Sequence, residues 1–297
     1  MIITRLIGGM GNQLFQYAMG RSLALRKKTE LKLDKSWLER TFKTGTPRDY
    51  RLHYFNVIEN FATLEEIQKV KNRQGGIVAR VFSRMFRKET PYYKQFIVNE
   101  HQDFVFDPNI YKIGADVYLQ GYWNNEKYFK DIEKIIRDEF EIKIPPDQKN
   151  QQLLEKIKGC NSVSIHIRRG DYAKDKRTNQ HHGTCSLDYY IKAAEIITGK
   201  ISRPFFFAFS DDIPWVKKNL KLKYPISYID NNDDEHSYED LRLMSACKYN
   251  IIANSSFSWW GAWLNRNPDK IVIAPKKWLN NPNIDTSNVV PKGWISI

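Results

Sequence analysis

The stretch "SVSIHIRRGDY", residues 162–172, decides the fold of this chain. Its first half is an apolar run that predicts a buried strand, and its second half predicts a basic loop. In open α/β sheets, ligands bind at the carboxyl ends of the strands. The stretch therefore predicts a strand that ends in a loop suited to an anionic ligand.

Strands and helices alternate through the rest of the second half. Apolar runs predict strands at 204–212, 226–230, 250–254 and 270–275. Helical patterns at 186–198, 213–220, 237–249 and 255–265 separate them, with Ser186 as a cap and Pro214 in a first turn. This alternation indicates a parallel sheet that is covered by helices on both faces.

The first half starts in the same way. A strand at 2–8 runs through "GGMGNQ" into a helix at 13–28, and "LKLD" at 31–34 predicts the next strand. A further strand is predicted at 116–123 and a helix at 128–140, whereas residues 36–115 mix aromatic residues, charges and short helical patterns. In that region Thr63-x-x-Glu66 resembles a capping box.

Two prolines in "IPPDQKN", 144–150, predict a boundary between domains. The predicted domains are an N-terminal lobe, 1–148, with the glycine-rich loop on the acceptor side, and a C-terminal lobe, 149–297, for the donor. The predicted fold class is α/β, with two Rossmann-like, doubly wound lobes that face each other across a cleft.

The net charge and the number of cysteines limit the classes to which the protein could belong. The 297 residues carry a formal charge of +13, which suits nucleic acid, an anionic membrane surface, a phosphate-bearing substrate or simply a soluble surface rich in lysine. Cys160, Cys185 and Cys247 form no metal-binding or disulfide pattern and fit a reducing interior. Neither a signal peptide nor a membrane-spanning run is predicted.

A basic amphipathic helix is predicted at 79–88. It alternates Val81, Phe82, Met85 and Phe86 with arginine and lysine. Such a helix either lies on an anionic membrane or packs on the core as an ordinary surface helix, and the second reading is the more common one.

Polar residues follow the predicted strands in four loops, Gly8–Gln13, His166–Tyr172, Ser210–Asp212 and Asn254–Ser258. An arginine of the second loop could bind a phosphate with two hydrogen bonds, and Asp171 could orient it. Asp211 and Asp212 could accept hydrogen bonds from guanine or cap the following helix. Ser255 and Ser256 could present an anion site or a simple N-cap.

Several common sites are excluded by the sequence. There is no Asp-x-Asp metal clamp and no P-loop, Leu14 stands where the dinucleotide motif needs its third glycine, and the histidines lack metal spacing. What remains is a basic, metal-free phosphate site in the second lobe, for which nucleotide-sugar transfer is the simplest function.

Five motifs in order carry a resemblance to a known family: "GGMGNQLFQYAMG", "HIRRGDY", "HHGTCSLDYY", "FSDDIPWV" and "NSSFSWWGAWL". From residue 6 to about 280 the chain resembles the bacterial α-1,2-fucosyltransferases of glycosyltransferase family 11. The resemblance implies a GT-B-like fold, GDP-β-L-fucose as donor, inversion at the anomeric carbon and an α-1,2 link to a terminal β-galactoside. It implies no cofactor and no divalent metal.

The resemblance also implies roles for single residues. Arg168 would hold the β-phosphate, Arg169 would support it, and Asn12 would face the donor from the other lobe. Further donor contacts are expected at His166, Asp211, Asp212, Ser255, Ser256, Phe257, Gly9 and Gly11. A base is not identified, and Asp171, Asp175 and His182 are its candidates, the last two on the acceptor side.

Alternatives remain at this point. The donor could be another GDP-sugar, or the acceptor could be a glycan without galactose. A basic nucleic-acid-binding protein is a remote alternative, because the basic residues match no recognised module. For the transferase, we expect a bacterial cytoplasmic protein that builds a surface polysaccharide such as O-antigen. Its acceptor could be lipid-linked, with contact to the inner face of the membrane through residues 79–88.

Overall fold

A computed structural model describes residues 1–39, 48–73, 91–170 and 175–297, and the chain divides into two units, Met1–Glu141 and Ile142–Ile297. The division lies ahead of the prolines, whereas the sequence predicts it after residue 148. The reason is a contact of the linking segment, because Arg242 in the second unit donates a hydrogen bond to the Ile144 carbonyl. The predicted basic helix at 79–88 lies outside the described residues.

The first unit contains a four-stranded parallel sheet in the order β2-β1-β4-β3. Short 3-10 turns connect several of its elements. Its strands are β1 (Ile2–Arg5), β2 (Leu31–Asp34), β3 (Ile97–Asn99) and β4 (Val117–Gln120), and its helices are α1 (Met10–Arg26), α2 (Leu64–Arg73) and α3 (Glu133–Glu139).

Most of the predicted elements of this unit are confirmed, with shifted ends. Helix α1 begins at Met10 instead of residue 13, because the backbone N–H groups of Asn12 and Gln13 already bond to the Gly9 carbonyl. The predicted helix at 128–140 is α-helical only in α3, and 3-10 turns precede it. The capping box is confirmed, since Thr63 and Glu66 each accept the other's backbone N–H.

The second unit contains a six-stranded parallel sheet in the order β10-β9-β8-β5-β6-β7. Its strands are β5 (Asn161–Ile167), β6 (Pro204–Ser210), β7 (Ile226–Tyr228), β8 (Tyr249–Ile251), β9 (Val272–Ala274) and β10 (Ile295–Ser296). Its helices are α4 (Gln148–Lys158), α5 (Lys176–His182), α6 (Leu187–Thr198), α7 (Ile213–Asn219), α8 (Ser237–Ala246) and α9 (Ser256–Leu264).

Apolar side chains of β5 form the centre of this unit. Val163, Ile165 and Ile167 are buried against residues of α6 and of the neighbouring strands. Complete burial of one such side chain stabilises a fold by about 1.5–3 kcal/mol. Ser186 caps α6 by accepting the Tyr189 N–H at 3.2 Å, as predicted. The α/β class, the parallel sheets and the doubly wound character of this unit are therefore confirmed.

Each sheet has a switch point, which is the pair of neighbouring strands where the strand order reverses. In the second sheet β6 and β7 follow on one side of β5, and β8 to β10 follow on the other, so the switch point lies between β5 and β8. In the first sheet it lies between β1 and β4. Loops at the carboxyl ends of these strands diverge and leave a crevice, where open α/β sheets bind their ligands.

Among the described residues, no helix combines the length and the apolar character that a membrane crossing requires. Membrane contact through residues 79–88 stays a prediction.

Candidate active site

The switch point of the second sheet brings together three of the four loops that the sequence singles out. Strand β5 pairs with β6 on one side and with β8 on the other, so the loops that begin at Arg168, Asp211 and Asn254 lie side by side. The His166 ring lies 5.7 Å from the Phe257 ring, which links the ends of β5 and α9 directly. The predicted donor residues of this unit therefore form one cluster.

Arg168 is fixed by Asp211. Its guanidinium Nη1 lies 2.9 Å from Asp211 Oδ2, and both side chains are about three-quarters buried. The other oxygen of Asp211 accepts the backbone N–H of Arg169 at 2.8 Å. A charge-assisted pair of this kind, with both oxygens engaged, holds the guanidinium in one orientation. Asp211 therefore orients Arg168, whereas Asp171, for which the sequence also suggests this role, lies outside the described residues.

Arg169 is held by an aromatic ring. Its guanidinium carbon lies 3.6 Å from the centre of the Trp215 ring, and its Nε lies 3.6 Å from Asp212 Oδ2. Asp212 also caps α7, because it accepts the Trp215 N–H at 3.2 Å. Of the two readings of "FSDD", helix capping is therefore observed for Asp212. Sequence reasoning missed Trp215, although its place in the first turn after the acidic pair was a usable signal.

His166 is buried at the end of β5. Removal from water, with Arg168 adding to the effect and Asp211 opposing it, lowers the pKa of His166 to about 4. The ring is therefore neutral at pH 7, with one donating and one accepting nitrogen. Nδ1 is buried, and none of the described residues forms a hydrogen bond with it. A buried polar atom of this kind is available to a ligand.

The loop after β8 is anchored by Asn254, which is buried. Its amide nitrogen donates to the carbonyls of His182 at 3.0 Å and Trp278 at 3.1 Å, and its oxygen accepts from Cys185 Sγ. Ser255 occupies the N-cap position of α9, but its side chain makes no capping bond. The start of α9, with Ser256 and Phe257 in its first turn, therefore has its orientation set by Asn254, whose anchoring role the sequence did not reveal.

The two acceptor-side candidates have different surroundings. Asp175 caps α5 by accepting the Thr178 N–H at 2.7 Å. His182 ends α5 and borders a cavity of about 270 Å³, which is also lined by Asn254, Lys276 and Lys277. Asp175 therefore stabilises the start of α5, whereas His182 lies beside the cavity.

The glycine-rich loop belongs to the first unit, at the switch point of its sheet. Gly8 has a φ of +75°, and its missing side chain leaves room for the Asn12 amide. Gly9 faces open space and Gly11 lies in the first turn of α1, so only Gly8 has a backbone need for glycine. Two buried glutamines, which the sequence analysis did not single out, hold this loop. The Gln13 side chain donates to the carbonyls of Gly8 and Asp49. The Gln16 side chain accepts the Ile7 N–H and donates to the Gly121 carbonyl.

Within the described ranges, no three side chains of histidine, cysteine, aspartate or glutamate gather as metal ligands. The hydrogen-bond donors of this cluster include the Arg168 and Arg169 guanidinium groups and the backbone N–H groups at the start of α9. Asp211 and Asp212 offset the charge of the two arginines, but these donors can still bind the oxygens of a diphosphate.

Comparison with known proteins gives relatives along the whole chain. The family model described as glycosyl transferase family 11 matches residues 1–297. An Escherichia coli alpha-1,2-colitosyltransferase is 34% identical over 100% of this chain and 98% of its own length. The Escherichia coli O-antigen biosynthesis glycosyltransferase WbnK is 33% identical over 98% of this chain and 99% of its own length.

A solved structure shares the fold of this chain. A mutant of Arabidopsis thaliana FUT1 in complex with GDP superimposes with a TM-score of 0.50 at 10% identity, over 91% of this chain and 69% of that one. At that identity the likeness concerns the fold alone, which is of the GT-B type with an α/β unit around each parallel sheet. With the family model matched from end to end, this chain is a glycosyltransferase and belongs to glycosyl transferase family 11.

Proposed function

We propose that the protein transfers L-fucose from GDP-β-L-fucose to the 2-hydroxyl of a terminal β-galactoside, with inversion and without a metal ion. The observation that carries the proposal is the fixed pair of guanidinium groups at the switch point of the second sheet. Arg168 is held by Asp211, and Arg169 is held against Trp215. A diphosphate is the ligand that two such forks bind best.

The proposed chemistry follows from where charge develops. The bond between the fucosyl C1 and the β-phosphate oxygen breaks, and its electron pair leaves with GDP. Arg168, Arg169 and the N–H groups at the start of α9 stabilise the negative charge that develops on this phosphate. The acceptor oxygen then bonds to C1 from the opposite face, and its proton passes to a base or to the departing phosphate.

The nucleoside and the sugar would lie on either side of the diphosphate. His166, with its unpartnered Nδ1, is the group best placed to bond the guanine or the ribose. The resemblance places Asp211 and Asp212 there as well. Because Asp211 already pairs with Arg168 and Asp212 already caps α7, we propose that both act by positioning their neighbours. Asn12, Gly9 and Gly11 are expected to face the donor from the first unit.

A second GDP-sugar is a candidate donor beside GDP-fucose. The relative named as an alpha-1,2-colitosyltransferase is 34% identical over the full chain, which makes colitose a candidate for the transferred sugar. We therefore include GDP-colitose, with GDP-mannose as a further GDP-sugar, in the donor test. The acceptor is a β-galactoside of a surface glycan in this proposal, and an O-antigen unit is supported by the name of the WbnK relative.

The test is a transfer assay with these three donors and a panel of β-galactosides, followed by linkage analysis. We expect fucose in α-1,2 linkage, at the same rate with and without EDTA. Transfer from GDP-colitose but not from GDP-fucose would show that GDP-colitose is the donor. A rate that EDTA abolishes and added metal restores would contradict the metal-free reaction.

The role of Arg168 is tested by Arg168→Ala, with thermal unfolding to confirm folding. Loss of one preorganised charge donor lowers kcat by about 100-fold or more. Arg26→Ala is the matched control, because Arg26 also pairs with an aspartate, Asp131, at 2.7 Å but lies in the first unit away from its switch point. A folded Arg168→Ala enzyme with full activity would refute the proposed role.

A further inference from the structure

The turn after β4, residues 121–123, lies at the switch point of the first sheet and has no role in the donor site described above. It is tied to the glycine-rich loop through α1. Gln16 accepts the Ile7 N–H at 2.9 Å and donates to the Gly121 carbonyl at 3.1 Å, which joins the carboxyl ends of β1 and β4. The turn therefore occupies, in its own unit, the position where open α/β sheets bind ligands.

Glu100 holds this turn in one conformation. Its Oε2 accepts the backbone N–H groups of Tyr122 at 2.6 Å and of Trp123 at 3.0 Å. The approach requires a glycine at 121, because a Cβ there would lie 2.4 Å from the Glu100 Cβ. Trp123 has a φ of +57°, which is costly for a bulky residue, and its ring is buried. The backbone that carries Tyr122 is thus rigid.

Tyr122 is exposed on this rigid turn. About 39% of the residue's surface is accessible, in contrast to buried Trp123 beside it. In the part of the chain that the structure describes, its hydroxyl has no hydrogen-bond partner and its ring has no aromatic neighbour. A tyrosine held in this way offers amphipathic contact area that loses little conformational freedom when a ligand binds.

Polar groups border the Tyr122 ring. Partial burial raises the pKa of Tyr122, the Asp103 and Glu100 carboxylates add to the rise, and Arg5 opposes it, so charges of both signs act on this side chain. Arg5 also donates to Gln120 Oε1 at 3.1 Å at the end of β4. An apolar ring surrounded by donors and acceptors complements a pyranose, which has an apolar C–H face and a rim of hydroxyls.

We propose that Tyr122 is the platform on which the terminal galactopyranoside of the acceptor stacks, with Arg5 bonding its hydroxyls. The inference rests on the proposed function, because it assigns the acceptor of that reaction. Glu100 acts as a positioning residue, since it fixes the turn through two backbone bonds. No residue of this platform belongs to the cluster around Arg168.

The experiment compares Tyr122→Ala with Tyr122→Phe. Loss of an aromatic anchor raises KM for the galactoside about tenfold or more, while kcat at saturation and GDP binding change little. Tyr122→Phe keeps the stacking surface and should raise KM less than about threefold. An equal rise in KM in both variants would show that the galactoside binds through the tyrosine hydroxyl and not through the ring, which would overturn the proposal.

Phe96→Ala is the matched control. Phe96 is 36% exposed and precedes β3, so it lies at the opposite end of the same pair of strands. This substitution removes a similar area of exposed ring and should leave KM unchanged. A rise in KM equal to that of Tyr122→Ala would show a general effect of losing surface rings and would overturn the proposal.

A binding measurement separates this inference from the reaction. Saturation-transfer NMR with methyl β-D-galactopyranoside needs no donor and should give signals with the wild type and with Phe96→Ala, but not with Tyr122→Ala. If the wild type transfers no sugar and this pattern is still seen, the proposed donor is wrong and the platform stands. If transfer occurs and Tyr122→Ala retains both KM and the NMR signals, the platform is wrong and the proposed function stands.

Discussion

At the scale of single residues, neighbouring aspartates have different tasks. Asp211 engages both of its oxygens, one with the Arg168 guanidinium and one with the Arg169 N–H. Asp212 lies at the start of α7 and closes its first turn through the Trp215 N–H. The sequence presents the two as an equivalent pair, and their different partners follow from the neighbouring strand β5 and from the helix that begins at Ile213.

This difference predicts different effects of the same substitution. Asp211→Asn keeps the shape but removes the charge that holds Arg168, so we expect kcat/KM to fall about tenfold to 100-fold with little change in stability. Asp212→Asn keeps a capping group and should cost well under 1 kcal/mol of stability. Its kcat/KM should stay within about threefold of the wild type, because Asp212 contacts Arg169 only at 3.6 Å.

Steady-state kinetics and thermal unfolding on both variants check this prediction. Equal kinetic losses would mean that the two carboxylates act alike on the donor, as direct contacts to guanine would require.

At the scale of elements, helix α1 organises the first unit through two amides in its interior. Gln13 and Gln16 are fully buried and lie on a helix whose other buried residues are mostly apolar or small. Buried amides are stable only when they are hydrogen-bonded. Both use their bonds to hold loops, Gln13 at Gly8 and Asp49, and Gln16 at Ile7 and Gly121.

We therefore predict that Gln16→Leu destabilises the protein by about 1–3 kcal/mol, because it leaves the Ile7 N–H and the Gly121 carbonyl unpaired in a partly buried place. The volume is nearly conserved, so packing alone should cost little. Since both switch-point loops of the first unit lose their link, KM for the galactoside should also rise. Chemical denaturation and acceptor kinetics measure the two effects.

Ser22→Ala is a control within the same helix. Ser22 is also fully buried, but within the described ranges its hydroxyl has no hydrogen-bond partner. Its removal leaves no partner unpaired and should be close to neutral. A loss as large as that of Gln16→Leu would indicate that α1 tolerates no change in its packed face.

At the scale of the whole molecule, each unit contains a buried carboxyl that is costly to ionise. Burial raises the pKa of Glu100 in the first unit and of Asp240 in the second, each to about 7. Because both values lie above those of the unfolded chain, the folded state binds more protons between about pH 4 and pH 7. The contribution of these groups to stability is present at acid pH and is lost as pH rises through 7.

His166 has the opposite dependence, since its pKa in the folded state is lowered to about 4. Its contribution falls as pH drops from about 6.5 towards 4. Because two carboxyl groups have raised pKa values and one histidine has a lowered pKa, we expect the melting temperature to decrease from about pH 5.5 to pH 7.5. Asp240→Asn and Glu100→Gln should each make this decrease smaller, and an unchanged slope in both variants would contradict it.

The sequence determined the α/β class, the order of most strands and helices in the second unit, and most residues of the cluster around Arg168, although not Trp215. These features depend on local pattern: apolar runs, caps such as Ser186, and polar residues placed directly after strands. The short strands β3 and β10 were not predicted, because three or two residues give too little pattern and are specified by the strands beside them.

Only the tertiary structure decided which partners these residues have. The sequence places Asp211 more than 40 residues from Arg168, and the pairing of β5 with β6 brings them to 2.9 Å. In the same way, the pairing of β1 with β4 brings the glycine-rich loop close to the turn that carries Tyr122, and Gln16 joins the two. Nothing in the sequence distinguishes Gln16 from an ordinary position of a helix. Hydrogen-bond partners across strands depend on strand order, and strand order is a property of the folded sheet that no local pattern contains.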